Sequence, residues 1–150
     1  QMAVHLPLTK DAQHEGKEIM ASVKNLLSPG TGTPIMDPTQ DIVIGCYWMT
    51  KIREGVKGEG RVFSCPNEAI LAYDFGLVDL QAQIKVKATS TAKYQIFLEQ
   101  IFETSVGRLL FNSILPSDFV FINEEMKQKP LINIVERLIS QYGVMPPRRS

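Results

Sequence analysis

The sequence predicts an α+β fold, and three observations predict it. The stretch "LQAQIKVKAT" alternates without exception, with Leu80, Ala82, Ile84, Val86 and Ala88 on one side and Gln81, Gln83, Lys85, Lys87 and Thr89 on the other. That is a half-exposed strand of the kind antiparallel sheets carry. Towards the end of the chain, Leu131, Ile134, Val135, Leu138, Ile139 and Tyr142 recur at helical spacing and form one apolar stripe. Elsewhere short strands and amphipathic helices mix with no internal repeat and no regular βαβ rhythm, which sets the chain apart from α/β folds.

Each element has its own justification. In "QMAVHLPLTKDAQ", Met2, Val4 and Leu6 alternate with Ala3 and His5, so a strand is expected up to Pro7. It opens at Gln1 with no lead-in, as though cut from something longer. Thr9 is the expected N-cap of a helix with Asp11 in its first turn, its apolar stripe being Ala12, Gly16, Ile19, Val23 and Leu26. "SPGTGTP" stops it. This is no phosphate-cradling loop, since a helix precedes it and Pro34 follows.

Thr39 can cap a second helix in "DPTQDIVIGCYWMT", with Gln40 and Asp41 in its first turn; Ile42 to Met49 are apolar on nearly every side, so it is expected to be buried. "REGVKGEG" is an exposed loop and "RVFS" a short strand. Pro66 opens a helix with Glu68 in its first turn, Ala69, Ile70 and Tyr73 inside, and Gly76 as its stop. After "LQAQIKVKAT" comes a loop, then a strand expected through Tyr94, Ile96 and Leu98, although Ile101 and Phe102 break its alternation. "TSVGRLLFNSIL" fits a helix through Val106, Leu109, Leu110 and Ile114, closed by Pro116. The last helix runs from Pro130 to Gly143, and a polar tail ends the chain.

Composition narrows the function classes. The 150 residues suffice for one domain with a real core. Sixteen basic residues balance sixteen acidic ones, which argues against a free-standing nucleic-acid binder. No apolar run approaches the roughly 20 residues of a membrane span, and nothing resembles a secretory signal, so a cytoplasmic protein without membrane contact is expected. Cys46 and Cys65 read as free thiols. Neither has zinc-ligand spacing with His5 or His14, which read as packing or surface histidines.

The sequence carries no self-contained active site. GxSxG, HExxH and a Walker loop are all absent. Glu124 and Glu125 are adjacent, and adjacent side chains do not converge on one substrate atom.

A resemblance carries the reading further. "QMAVHLPLTKDAQ" is similar to the stretch of the bacterial RNA polymerase β′ family that follows its metal-binding loop, Asn-Ala-Asp-Phe-Asp-Gly-Asp. The similarity continues in register through "LLSP", "PTQDIVIGCYWMT", "KGEGRVFS", "EAILAYDFG", "IKVK", "TSVGRLLFN" and "FINEEM", covering residues 1 to about 145. It implies part of the catalytic subunit of DNA-directed RNA polymerase. Residues 1–24 would end the active-site domain, with the opening strand the last of a double-psi β-barrel. Residues 25–145 would form the pore domain, which lines the secondary channel, and 146–150 a tail.

The resemblance also implies partners and chemistry. The partners are the β, α, ω and σ subunits, and, through the whole enzyme, template DNA, RNA and nucleoside triphosphates. Two metal ions perform the nucleotidyl transfer, and the Mg²⁺-holding aspartates lie upstream of Gln1. The chain alone should therefore bind no metal and catalyse nothing. Gln1, Gln40 and Asp41 are the expected neighbours of the active site; simple barrel bonding and helix capping are their plainer roles. Lys129 and Glu136 are candidates for a guanosine tetraphosphate site beside ω, although a tyrosine of that site is Ile139 here. The stretch "ATSTAKYQIFLEQIFE" and the ending "QYGVMPPRRS" depart most from the family. The rival readings are a stand-alone binding module derived from the polymerase fold and a small independent enzyme, the second lacking any chelating or nucleophilic cluster.

Overall fold

A computed structural model describes residues 2–35, 38–98 and 100–143. The chain divides into two units: Thr39–Lys127, and the residues before Thr39 together with those from Gln128 onward.

In the first unit, helix α2 (Gln40–Thr50) precedes strand β1 (Val62–Phe63), helix α3 (Pro66–Asp74), strands β2 (Ile84–Lys87) and β3 (Ile101–Thr104), and helix α4 (Val106–Ser113). The sheet order is β1-β2-β3. β1 runs parallel to β2 across the α3 connection, pairing Val62 with Lys85, whereas β2 and β3 are antiparallel from Ile84–Thr104 to Lys87–Ile101. The inward residues of β2, Ile84 and Val86, are fully buried and meet Phe63, Phe102, Val106 and Leu109 in one core.

α3 begins and ends as its sequence predicts. Pro66 fills the first turn, and Glu68 reaches back to accept from the Ser64 backbone N–H at 2.8 Å and its hydroxyl at 2.6 Å. The hydroxyl bond and the backbone bond hold the Glu68 carboxyl below the usual carboxylate range. Gly76, at φ 65°, closes the helix: its N–H donates to Tyr73 and that of Leu77 to Ala72, the paired bonds of a Schellman ending.

Three expectations in this unit need correction. β2 is shorter than the alternating stretch, and Gln81, assigned to the outside, is buried, because its side chain donates to the Trp48 carbonyl at 2.7 Å. No strand forms through Tyr94, Ile96 and Leu98; Ala92–Phe97 is a 3-10 turn closed by Leu98 at φ 47°. That turn brings Tyr94 and Phe97 to one side, where Phe97 stacks on Phe102 at 4.0 Å and Tyr94 lies 5.2 Å from Phe121. Finally, α4 stops at Ser113 and leaves Ile114 77% exposed.

The other unit contains α1 (Lys10–Glu18) and α5 (Gln128–Tyr142). Thr9 caps α1 as expected, its hydroxyl accepting from the Ala12 N–H at 3.2 Å. α1 nevertheless ends at Glu18, well short of Leu26, because its nine residues supply too little apolar side chain to bury. Ile19 and Val23 lie exposed, and Asn25 donates to the freed carbonyls of Ile19 and Ala21. A turn then pairs Leu27 with Pro34. α5 starts at Gln128, buries Leu131 and Ile134, and ends at Gly143 with φ 65°. Its remaining stripe residues are half-buried. The tail, 146–150, falls outside the described residues.

The opening strand is also corrected. Residues 2–7 carry no ladder, and Met2 and Leu8 are 88% and 90% exposed. A strand's N–H and C=O groups need a neighbouring strand, and among the described residues none lies beside them.

Candidate functional site

Two of the three proposed active-site neighbours fall among the described residues. Gln1 lies outside the described residues. Gln40 and Asp41 stand together at the exposed head of α2. Thr39 occupies the N-cap position there, but its hydroxyl makes no capping bond, so that expectation fails. Gln40 has φ 47°, a left-handed conformation that costs a non-glycine residue roughly 1–2 kcal/mol. α2 itself corrects the expected buried helix, since only Thr50 is buried and Ile42, Ile44 and Trp48 lie exposed.

The tail of α2 is held far more firmly, by residues that sequence reasoning passed over. Gly107 lets α4 close on it: a Cβ at Gly107 would sit 1.8 Å from the Met49 carbonyl oxygen. The Gly107 N–H donates to Leu80 at 2.9 Å. Buried Arg108 donates through Nε to the Thr50 carbonyl at 2.9 Å and through a terminal nitrogen to the Asn123 carbonyl at 2.8 Å. The Thr50 hydroxyl donates to Cys46 at 2.7 Å and accepts from the Met126 N–H at 2.8 Å. Asn112, fully buried, binds both backbone groups of Ile122 at 2.8 Å. Asn123 donates to the Glu103 carbonyl at 2.7 Å.

Burial pushes the Arg108 guanidinium below its ordinary pKa, and the charges of Glu125 and Glu124 push it back. Lys93 donates to the carbonyls of Asn112 and Leu115 at the end of α4, at 2.5 and 3.0 Å, which places a cation where a helix dipole favours one. Burial lowers its pKa as well, against an opposing pull from Asp118. One signal in the sequence could have found this network: Arg108 and Asn112 are polar residues set among Val106, Leu109, Leu110 and Phe111, and Asn123 directly follows Phe121 and Ile122.

The remaining candidates do not assemble a reactive centre. Lys129 and Glu136 are both exposed on α5, two turns apart. Glu136 borders a hollow of about 260 Å³ with Leu27, Thr33, Pro34, Ile139 and Ser140. Among the described residues, no lysine or arginine lines it. His5 and His14 are exposed. Cys46 and Cys65 are free and half-buried, and burial raises the Cys46 pKa, which keeps that thiol protonated. Among the described residues, no three His, Cys, Asp or Glu side chains converge as metal ligands, and no helix is long and apolar enough to cross a membrane.

Comparison with known proteins gives these residues a context. The sequence profile of RNA polymerase Rpb1, domain 3, matches residues 25–145. The chain is 45% identical over 95% of its length to the DNA-directed RNA polymerase subunit beta' of Thermobifida fusca, and 45% identical over 96% to that of Heliobacterium modesticaldum. The subunit beta' of a Sulfurihydrogenibium species is 41% identical over 95% of the chain. The chain spans only 12%, 13% and 8% of these three relatives. The span of the profile match and the in-register identity leave one assignment: the chain belongs to the RNA polymerase Rpb1 domain 3 family.

Proposed function

We propose that the chain is a segment of the β′ subunit of a bacterial DNA-directed RNA polymerase, and that it serves template-directed RNA synthesis by shaping the enzyme. Identity of 45% over 95% of the chain is the observation that carries this reading. Residues 1–24 end the active-site domain, where the stretch with alternating Met2, Val4 and Leu6, which has no ladder within this chain, would find its neighbouring strands in the rest of the subunit and complete a double-psi barrel. Residues 25–145 form the pore domain beside the secondary channel. Gln1, Gln40 and Asp41 approach the active site, and strain at Gln40 supports a role for the α2 head beyond capping.

The described residues do not fit a Mg²⁺ site, having no cluster of carboxylates to supply the hard oxygen ligands. The metal belongs to residues elsewhere in the subunit, and the segment's part is to hold its own elements in register. The partners are β, α, ω and σ, with DNA, RNA and nucleoside triphosphates reached through the whole cytoplasmic enzyme. Guanosine tetraphosphate beside Lys129 and Glu136 has less support, since the described residues lining the hollow at Glu136 offer a polyphosphate a carboxylate and no cation.

The test replaces the corresponding stretch of the Thermobifida fusca subunit with residues 1–145 and reconstitutes the polymerase. Template-dependent RNA synthesis is expected, with none from the 150-residue chain alone. An enzyme that assembles but makes no RNA would overturn the proposal, as would synthesis by the chain on its own.

A further inference from the structure

Helix α2 has two unlike faces. Val43, Cys46, Tyr47 and Thr50 turn towards the rest of their unit and are half-buried or buried. Asp41, Ile44, Gly45 and Trp48 fall at i, i+3, i+4 and i+7 and share the opposite face, with Ile42 on its flank. That face is open: Ile44 is 65% and Trp48 57% exposed.

Gly45 lies in its middle, and nothing among the described residues requires a glycine there. It has ordinary helical backbone, and a Cβ would meet no atom within 4 Å. Alanine would favour the helix by roughly 1 kcal/mol. Gly107 shows what a helical glycine does when it has a reason, since its missing side chain admits the Met49 backbone. Gly45 leaves a similar flat place between two large apolar side chains, with the second backbone not yet present.

We infer that this face seats another backbone segment of the same β′ polypeptide, crossing α2 at Gly45 between Ile44 and Trp48. The inference rests on the polymerase reading. The occupant is assigned to the same polypeptide because this chain is only 12–13% of two of its relatives, so most of such a subunit lies outside it. The face also has the apolar composition of a permanent contact, with Asp41 its one charge.

The test uses full-length chimeric β′ carrying residues 1–145, alone and in reconstituted polymerase, with Ile44→Cys as a reporter. Alkylation at position 44 is read by mass spectrometry against the denatured subunit. Protection of about tenfold or more is expected in β′ before any other subunit is added. Gly45→Ala should reduce this protection and Gly45→Leu abolish it. Full-rate labelling in both β′ and the enzyme overturns the inference, because the face is then free. Protection that appears only after other subunits join overturns the assigned occupant. Protection untouched by both glycine variants overturns the crossing at Gly45. RNA synthesis by the same reconstituted preparations separates the two readings: an active enzyme with an unprotected position 44 defeats only this inference, and an assembled, inactive one defeats the polymerase reading beneath it.

Discussion

Helices α2 and α4 invert the usual relation between composition and burial. α2 is apolar on nearly every side and buries one residue, Thr50. α4 carries an arginine and an asparagine and buries six of its eight residues. The difference lies in what surrounds each helix. α4 has α2, α3 and the 119–126 segment around it and satisfies its polar groups by named bonds, whereas α2 packs by one face and leaves Ile42, Ile44 and Trp48 open. Apolar composition indicates that a helix will be covered, but not which part of the molecule will cover it.

That contrast can be tested first at its tightest point. Gly107→Ala forces a Cβ into the Met49 carbonyl and should cost upwards of about 3 kcal/mol, read as a large fall in the urea midpoint of the chain. A midpoint near wild type would show that α2 and α4 are not closely locked. Arg108→Met comes next. It strands the carbonyls of Thr50 and Asn123 and should cost roughly 2–3 kcal/mol by the same measurement.

Smaller effects sharpen the picture around α4. The Thr104 hydroxyl, just before the helix, is buried without a partner, so Thr104→Val should raise stability by about 1 kcal/mol. Lys93 gives a pH signature. Its folded pKa lies below the ordinary 10.5, so between those two values the unfolded chain binds more protons and stability rises with pH. Below the folded pKa the cost of burying the charge is present in full. Lys93→Met should remove the alkaline rise, which urea melts at several pH values would reveal. The smallest change is expected on α2, where Ile44→Ser should move the midpoint by no more than about 0.5 kcal/mol. A large loss there would mean that the open face is already occupied within this chain.

Local rules carried part of the fold into the sequence. Thr9, Pro66, Gly76 and Gly143 act where capping and turn chemistry place them, and the alternation through Ile84 and Val86 finds its core. Errors arose where long-range contacts decide. Gln81 is drawn inside by a carbonyl 33 residues away, and the 94–98 segment gives up a strand for an aromatic cluster completed by Phe121. The site was legible mainly by resemblance. Gln40 and Asp41 do stand side by side at a helix head, but the strain at Gln40 has no sequence signature. The clamp at the other end of α2, built from Arg108 and Thr50, was only half legible, because a polar residue among apolar ones announces a buried bond without naming its partner.

The bond from Met126 to the Thr50 hydroxyl spans 76 residues, and this has a consequence for synthesis. A ribosome adding roughly 5–20 residues per second needs about 4–15 s to travel that distance. For that interval α2 is made but its tail cannot be locked, and its apolar side chains stand open in a growing chain. The order of the chain therefore sets a waiting period, during which chaperone capture and misfolding compete with the arrival of a single backbone amide.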